Sequence, residues 1–246
     1  MTTRVAVVGA TGKLGRLFVR LIDETEGFEL HAGLSSRDGL DGLAGADLVV
    51  DVTVPAVSPA IVEAAVRLGI PVLVGTSGWS EPRLASIRRV VAEVAGPGVL
   101  VIPNFSVGSV LATTFATMAA RYYEAVEIIE THHPGKVDSP SGTATRTAEL
   151  IAEARRDLGP VRAPRADQRA RGQQVASVPV HSLRLPGIEA RQEVVFGGAG
   201  ETLTLTHDTT SQTAYEQGIL VALASAPTIS GVVVGLDRVL PLGTPS

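Results

Sequence analysis

The densest chemistry in this 246-residue chain lies in one segment, Glu130-Thr131-His132-His133-Pro134-Gly135-Lys136-Val137-Asp138-Ser139-Pro140-Ser141-Gly142-Thr143. It brings two imidazoles, an ammonium, a carboxylate and two hydroxyls into one loop after a strand-like run. An imidazole such as His132 gives or takes a proton near neutral pH. Lys136 supplies positive charge for a carboxylate. Ser141-Gly142-Thr143 opens a helical period, and the unpaired amides of a helix start attract a second anion. Together these groups suit a small dicarboxylate. Other readings remain beside this one. Ser141 or Thr143 can serve as a helix cap, with or without a ligand role, and the histidines can be structural. A metal is not expected, because adjacent histidines do not share a helical face as H-x-x-x-H does, and soft ligands are absent.

A second cluster sits near the start. Gly9-Ala10-Thr11-Gly12-Lys13-Leu14-Gly15 falls between an apolar run and a helical period. Glycines there let the backbone turn sharply and approach a pyrophosphate resting on the helix start. The spacing is G-x-x-G-x-x-G, one residue off the G-x-G-x-x-G dinucleotide pattern, and a plain connecting turn is the alternative. The next strand-like run ends at Leu34 and is followed by Ser35-Ser36-Arg37-Asp38. Two hydroxyls and a guanidinium can receive a ribose 2′-phosphate, while Asp38 comes slightly late for the carboxylate that binds a free 2′-hydroxyl. The expected cofactor is NADPH, NADH or both, with NADPH used at least as well; a solvated turn is the duller reading.

These groups need elements to position them, and the chain alternates such elements over its first hundred residues. Strand runs at 5–8, 28–34, 48–52, 71–74 and 99–102 alternate with helical periods at 14–22, 57–68 and 81–94. That order means βαβ units and a Rossmann-type parallel sheet. The pattern then changes. A long helix is predicted over 107–123, a strand over 126–130 and a helix over 144–158. Residues 159–174 read as an exposed loop, and strand runs follow in a block at 178–185, 192–196 and 202–207. A block of strands implies an α+β domain with a mostly antiparallel or mixed sheet. A helical period at 214–223 and a strand at 232–234 close the pattern. The overall expectation is an α/β protein in which residues 1–103 and 213–246 form a dinucleotide-binding domain. Residues 104–212 would form a substrate-binding and oligomerisation domain.

Composition narrows the function class. Forty-five per cent of residues are hydrophobic, enough for a large core, and the net charge of −4 carries no basic footprint for nucleic acid. There is no cysteine, which excludes disulfides, thiolate-bound metal and a cysteine nucleophile. No run is long enough to span a membrane, and no leader pattern precedes the first strand. A cytoplasmic small-molecule enzyme is expected, without nucleic-acid or membrane partners.

The string E-x-H-H-x-x-K-x-D-x-P-S-G-T, complete here from Glu130 to Thr143, resembles the signature of the dihydrodipicolinate reductases. Further family-like stretches follow in order at 5–15, 50–55, 74–78, 103–108, 181–187 and 200–207. The resemblance implies NAD(P)H-dependent reduction of a cyclic imine dicarboxylate, formed from 4-hydroxy-tetrahydrodipicolinate, to tetrahydrodipicolinate in diaminopimelate and lysine biosynthesis. It implies that His132 is the catalytic proton donor and Lys136 the catalytic cation, which also binds substrate. His133, Ser141, Gly142 and Thr143 would hold carboxylates. Gly9, Thr11, Gly12, Lys13 and Leu14 would bind pyrophosphate. Thr53, Gly75, Thr76, Ser77, Pro103, Asn104 and Phe105 would complete the cofactor site, several of them along the nicotinamide. A homotetramer built through the sheet-bearing domain is also implied. Four sites depart from the family pattern: Val52 in D-F-T, Ser77 in G-T-T-G, Gly108-Ser109-Val110 for G-V-N, and Gln212 where an Arg is common. Rival readings are a paralogue acting on another cyclic imine and a non-catalytic NAD(P) sensor.

Overall fold

The computed structural model describes residues 2–241, which divide into two compact units. One comprises the described residues up to Phe105 together with those from Tyr215 onward; the other is Ser106–Ala214.

The first unit is built on a six-stranded sheet in which every pairing is parallel. Its strands are β1 (Thr3–Val8), β2 (Phe28–Leu34), β3 (Leu48–Asp51), β4 (Val72–Val74), β5 (Val99–Val101) and β11 (Val232–Val234). Their order is β11-β5-β4-β3-β1-β2. Central parallel strands have helices on both faces and so are buried throughout: all four residues of β3 are buried, Asp51 included. Helices α1 (Lys13–Glu24), α2 (Ser58–Arg67) and α3 (Glu81–Glu93) are the crossovers, and α6 (Glu216–Ser225) packs beside α1. One face of the sheet meets Ile61, Val62 and Val66 of α2 and Leu84, Ile87 and Val91 of α3. Phe18 of α1 stands edge-on to Phe105, with ring centroids 5.4 Å apart. The strand order reverses between β2 and β3, on either side of β1. In open α/β sheets that is where ligands bind, at the carboxyl ends of the strands.

The second unit carries a five-stranded mixed sheet, ordered β10-β9-β6-β8-β7. Its strands are β6 (Ala125–His132), β7 (Gln173–Val175), β8 (Val178–Arg184), β9 (Ala190–Gly198) and β10 (Glu201–Thr209). Only β6 and β8 run parallel; α5 (Gly142–Ala154) lies between them in sequence and packs on β6 and β8. Together with α4 (Val107–Ala119), α5 covers a core that includes Ile128, Ile151, Val180, Val194 and Phe196.

Three expectations require correction. The helix predicted over 107–123 stops at Ala119, because the buried Arg155 guanidinium donates to the carbonyls of Ala120 and Tyr123 and so stabilises the chain as it turns. The helix predicted over 144–158 opens at Gly142, where the Ser141-Gly142-Thr143 motif places a helix start, but ends at Ala154. The stretch predicted as an exposed loop, 159–174, contains buried Val161, a short 3-10 turn at Arg169–Arg171 and the first residues of β7. Arg171 reaches Glu127 on β6, giving that polar segment a partner that apolar periodicity does not reveal.

Candidate functional site

In the first unit, β1 delivers the chain to Gly9 at the reversal of strand order. Gly9 has φ +93°, and a Cβ there would lie 2.6 Å from the Val52 carbonyl oxygen. A Cβ on Gly15 would sit 2.0 Å from the Gly9 carbonyl oxygen. Both glycines are therefore demanded by the packing of strand on helix. Gly12 differs. It has φ −70° and ψ 171°, it is exposed, and it stands at the N-cap of α1 with no capping side chain and no acidic residue in the first turn. The end of α1 thus shows its positive pole, which favours an anion. Thr11 and Lys13 are exposed beside it, and Leu14 is half-buried.

At the end of β3, buried Asp51 accepts hydrogen bonds from Thr53 N (3.2 Å), Thr53 Oγ1 (2.5 Å) and Ser58 Oγ. Thr76 Oγ1 accepts from Thr53 N at 2.9 Å and lies 3.4 Å from the Asp51 carbonyl. The Thr53 and Thr76 hydroxyls are thus turned into the protein and pin the ends of β3 and β4 together. Gly75 packs against Phe105, where a Cβ would meet the ring at 2.9 Å. Ser77 and Pro103 are exposed, Asn104 is half-buried and Phe105 is buried. At the end of β2, Asp38 accepts from both the amide and the hydroxyl of Ser35, each at 2.7 Å. The Ser35 hydroxyl bond, then its amide bond, lower the Asp38 pKa. Ser36 and Arg37 remain exposed.

In the second unit the organising residue is Glu130, a fully buried carboxylate on β6. Its neighbour two positions on, His132, points to the same side of the strand, and His132 Nδ1 lies 2.6 Å from Glu130 Oε2. Arg184 sits opposite His132 on β8 and donates twice to Glu130, each bond at 3.0 Å. Ser141 N donates to the other carboxylate oxygen at 3.2 Å. Burial alone would raise the Glu130 pKa, but the bonds from Arg184, Ser182 and His132 outweigh it and hold the group below its ordinary value of 4.5. An ionised carboxylate only accepts, so Nδ1 of His132 carries the proton and Nε2 is left to face outward chemistry. Burial pushes the His132 pKa below 6.5; Lys136 and Arg184 act in the same direction, and Glu130 opposes them.

The loop beyond His132 carries the remaining groups. Lys136 Nζ meets Asp138 Oδ1 at 2.7 Å. The exposed His133 ring folds over Gly135, whose Cβ would lie 3.2 Å from His133 Nδ1. Ser141 caps α5, accepting from Ala144 N at 3.2 Å. Gly142, the first residue of α5, is exposed, and nothing lies within 4 Å of where its Cβ would be. Thr143 is half-buried. The structure therefore joins His132, Ser141 and Arg184 through one carboxylate, and Lys136 is near enough for its charge to act on His132. Residue-by-residue reading gave no role to Glu130 or Arg184. Strand alternation from His132 back to Glu130 was the available signal; the pairing of β6 with β8 was not visible. Among the described residues no cluster of His, Cys, Asp and Glu could hold a metal, and no helix is long and apolar enough to cross a membrane.

Comparison with known proteins gives the family and the fold. Residues 3–105 match the family "Dihydrodipicolinate reductase, N-terminus" and residues 108–240 match "Dihydrodipicolinate reductase, C-terminus". A 4-hydroxy-tetrahydrodipicolinate reductase of Clavibacter michiganensis subsp. michiganensis is 59% identical over 98% of this chain and 87% of its own length. The protein of the same name from Streptomyces coelicolor is 46% identical over 97% of this chain and 98% of its own. A solved dipicolinate-bound dihydrodipicolinate reductase from Paenisporosarcina sp. TG-14 superposes with a TM-score of 0.83 at 30% identity, covering 98% of this chain and 100% of that one. GenD2 from gentamicin A biosynthesis, solved with NAD, shares the fold alone, at 14% identity and a TM-score of 0.61 over 99% and 89% of the two chains.

Proposed function

Because the chain belongs to the dihydrodipicolinate reductase family through both of its regions, we propose that its first unit holds the nicotinamide cofactor and that the end of β6 with the start of α5 holds the substrate. The activity is NAD(P)H-dependent reduction of 4-hydroxy-tetrahydrodipicolinate, by way of dihydrodipicolinate, to tetrahydrodipicolinate in diaminopimelate and lysine biosynthesis. The observation that carries the site assignment is the convergence of His132, Lys136 and the capped start of α5 in one loop.

The residues fit the cofactor: Gly9 and Gly15 close the turn, and Gly12 leaves the N-terminus of α1 uncapped by any side chain, so that Gly9, Thr11, Gly12, Lys13 and Leu14 cradle the pyrophosphate. Gly75, Ser77 and the Pro103–Phe105 turn, with Asn104 between, line the nicotinamide. Thr53 and Thr76 hold those loops in place through Asp51. When bound, the nicotinamide supplies hydride to a ring carbon of the substrate. NADPH and NADH are both used: Ser36 and Arg37 receive the 2′-phosphate, while the Asp38 carboxylate, fixed on Ser35 in the same turn, repels it and moderates the preference.

The substrate is a small dicarboxylate. Lys136 and His133 attract one carboxylate; Ser141, Gly142 and Thr143 take the other at the helix start. His132 gives the proton that accompanies hydride. In the free protein burial keeps the imidazole neutral, and two incoming carboxylates counter Lys136 and Arg184, raising its proton affinity when the proton is needed. The protein works as a homotetramer in the cytoplasm.

The direct test follows oxidation of each nucleotide while a synthase generates substrate from pyruvate and aspartate semialdehyde. Substitution His132→Ala should lower kcat by about 10²–10⁴-fold, the range of acid–base contributions, with nucleotide affinity unchanged. Near-native turnover in that variant would remove His132 from the role.

A further inference from the structure

We infer that Glu130, held by Arg184, is a positioning residue for the reduction: it sets which nitrogen of His132 faces the substrate and ties that imidazole to the carboxylate-binding start of α5. This rests on the assignment of His132 as proton donor. Besides Ser182, the buried carboxylate gathers His132 Nδ1 at 2.6 Å, two Arg184 nitrogens at 3.0 Å each, and Ser141 N at 3.2 Å. The same guanidinium donates to the Asp138 carbonyl at 2.6 Å, reaching the loop that carries Lys136. A carboxylate offers no proton, so the Nδ1–H bond fixes one tautomer and leaves Nε2 as the exchanging atom. When His132 takes up a proton, Glu130 is the anion beside it. The charged groups facing the imidazole are Glu130 on its own strand, Arg184 on β8, and Lys136 of the following loop, itself paired with Asp138. Of these only Glu130 stabilises imidazolium.

A purely structural role for the pair would be to neutralise the buried Glu130 carboxylate with a half-buried guanidinium. The alternatives separate in Glu130→Gln and in the charge-balanced double variant Glu130→Gln/Arg184→Met, which leaves no unpaired guanidinium if the single variant fails to fold. The readouts are the pH profile of kcat and the tautomer of His132, from the ¹⁵N shifts of its ring. The expected result in either variant is a kcat lower by about 100-fold, inside the range that acid–base catalysis contributes. The limb of the profile that needs protonated His132 should move to lower pH, and a mixed tautomer should replace the single Nδ1–H form. The double variant should recover thermal stability without recovering kcat. Native kcat, an unmoved limb and an unchanged tautomer in a folded variant would overturn the inference, provided His132→Ala is inactive in the same assay. Native turnover in His132→Ala would instead overturn the proton-donor assignment, and this inference with it.

Discussion

At the scale of single residues, the three glycines of the first turn look alike in sequence and do different work. Gly15 has the Gly9 carbonyl oxygen 2.0 Å from where a Cβ would be, so Gly15→Ala must push helix from strand. Overpacking of that kind costs roughly 1–3 kcal/mol, and the loss should appear as a lower Tm with or without nucleotide. Gly12 meets the same oxygen only at 3.2 Å and has an ordinary φ. Gly12→Ala should cost about 1 kcal/mol or less as an N-cap change, while raising KM for NADPH about tenfold, or ~1.4 kcal/mol of binding. Unchanged nucleotide KM in Gly12→Ala would place the pyrophosphate elsewhere. Spacing names all three glycines but not this division, because the division depends on where the Val52 and Gly9 carbonyls come to lie. Glu130 teaches the same lesson. Its type and its position two before His132 are visible in the chain, yet its importance comes from Arg184, fifty-four positions away, and only the pairing of strands brings them together.

At the scale of elements, periodicity found the α-helices and every strand but β7, and misjudged where several of them stop. Apolar spacing continues past Ala119, and only the Arg155 side chain explains the earlier turn. β7 escaped notice because Gln173 and Gln174 are exposed on an edge strand and carry no alternating apolar signal. The strand that matters most for chemistry is β6, and its charged residues make it sensitive to acid. Glu130 has a folded pKa below 4.5, so its contribution is complete above that value and fades as pH falls through the folded pKa. His132 has a folded pKa below 6.5; the unfolded chain takes up its proton first, which removes stability as pH falls below that point. Chemical denaturation should therefore show stability falling below pH ~6.5 and again below ~4.5. His132→Gln should flatten the upper step and Glu130→Gln the lower one. An upper step of unchanged size in His132→Gln would assign it to other groups, such as His207, whose pKa burial also lowers.

At the scale of the whole molecule, the alternation of strands and helices made the parallel sheet legible, because βαβ connections leave few other topologies. The return of the chain was legible as a helical period at 214–223 and a strand at 232–234; what the sequence could not show is that its valines pair in parallel with β5 at the edge of the sheet. Two compact units with separate cores permit a prediction that neither unit would support alone. If nucleotide is held by the first unit and dicarboxylate by the second, each ligand stabilises the unit it touches, by about 2.7 kcal/mol at a hundred times its Kd. Hydrogen exchange with NADPH alone should slow amides at Gly9–Gly15 and Ser35–Asp38 most strongly. Exchange with pyridine-2,6-dicarboxylate alone should slow those at His132–Thr145, above all at the start of α5. Arg37→Ala should weaken the NADPH effect while sparing that of NADH, and Asp38→Asn should strengthen the NADPH effect. Protection by the dicarboxylate centred on Gly9–Gly15 would contradict the division of labour, because a dianion would then prefer the positive pole of α1 to the cations of the second unit. An Arg37→Ala loss equal for both nucleotides would remove the 2′-phosphate from that turn and leave the cofactor preference to be set by other side chains of the first unit.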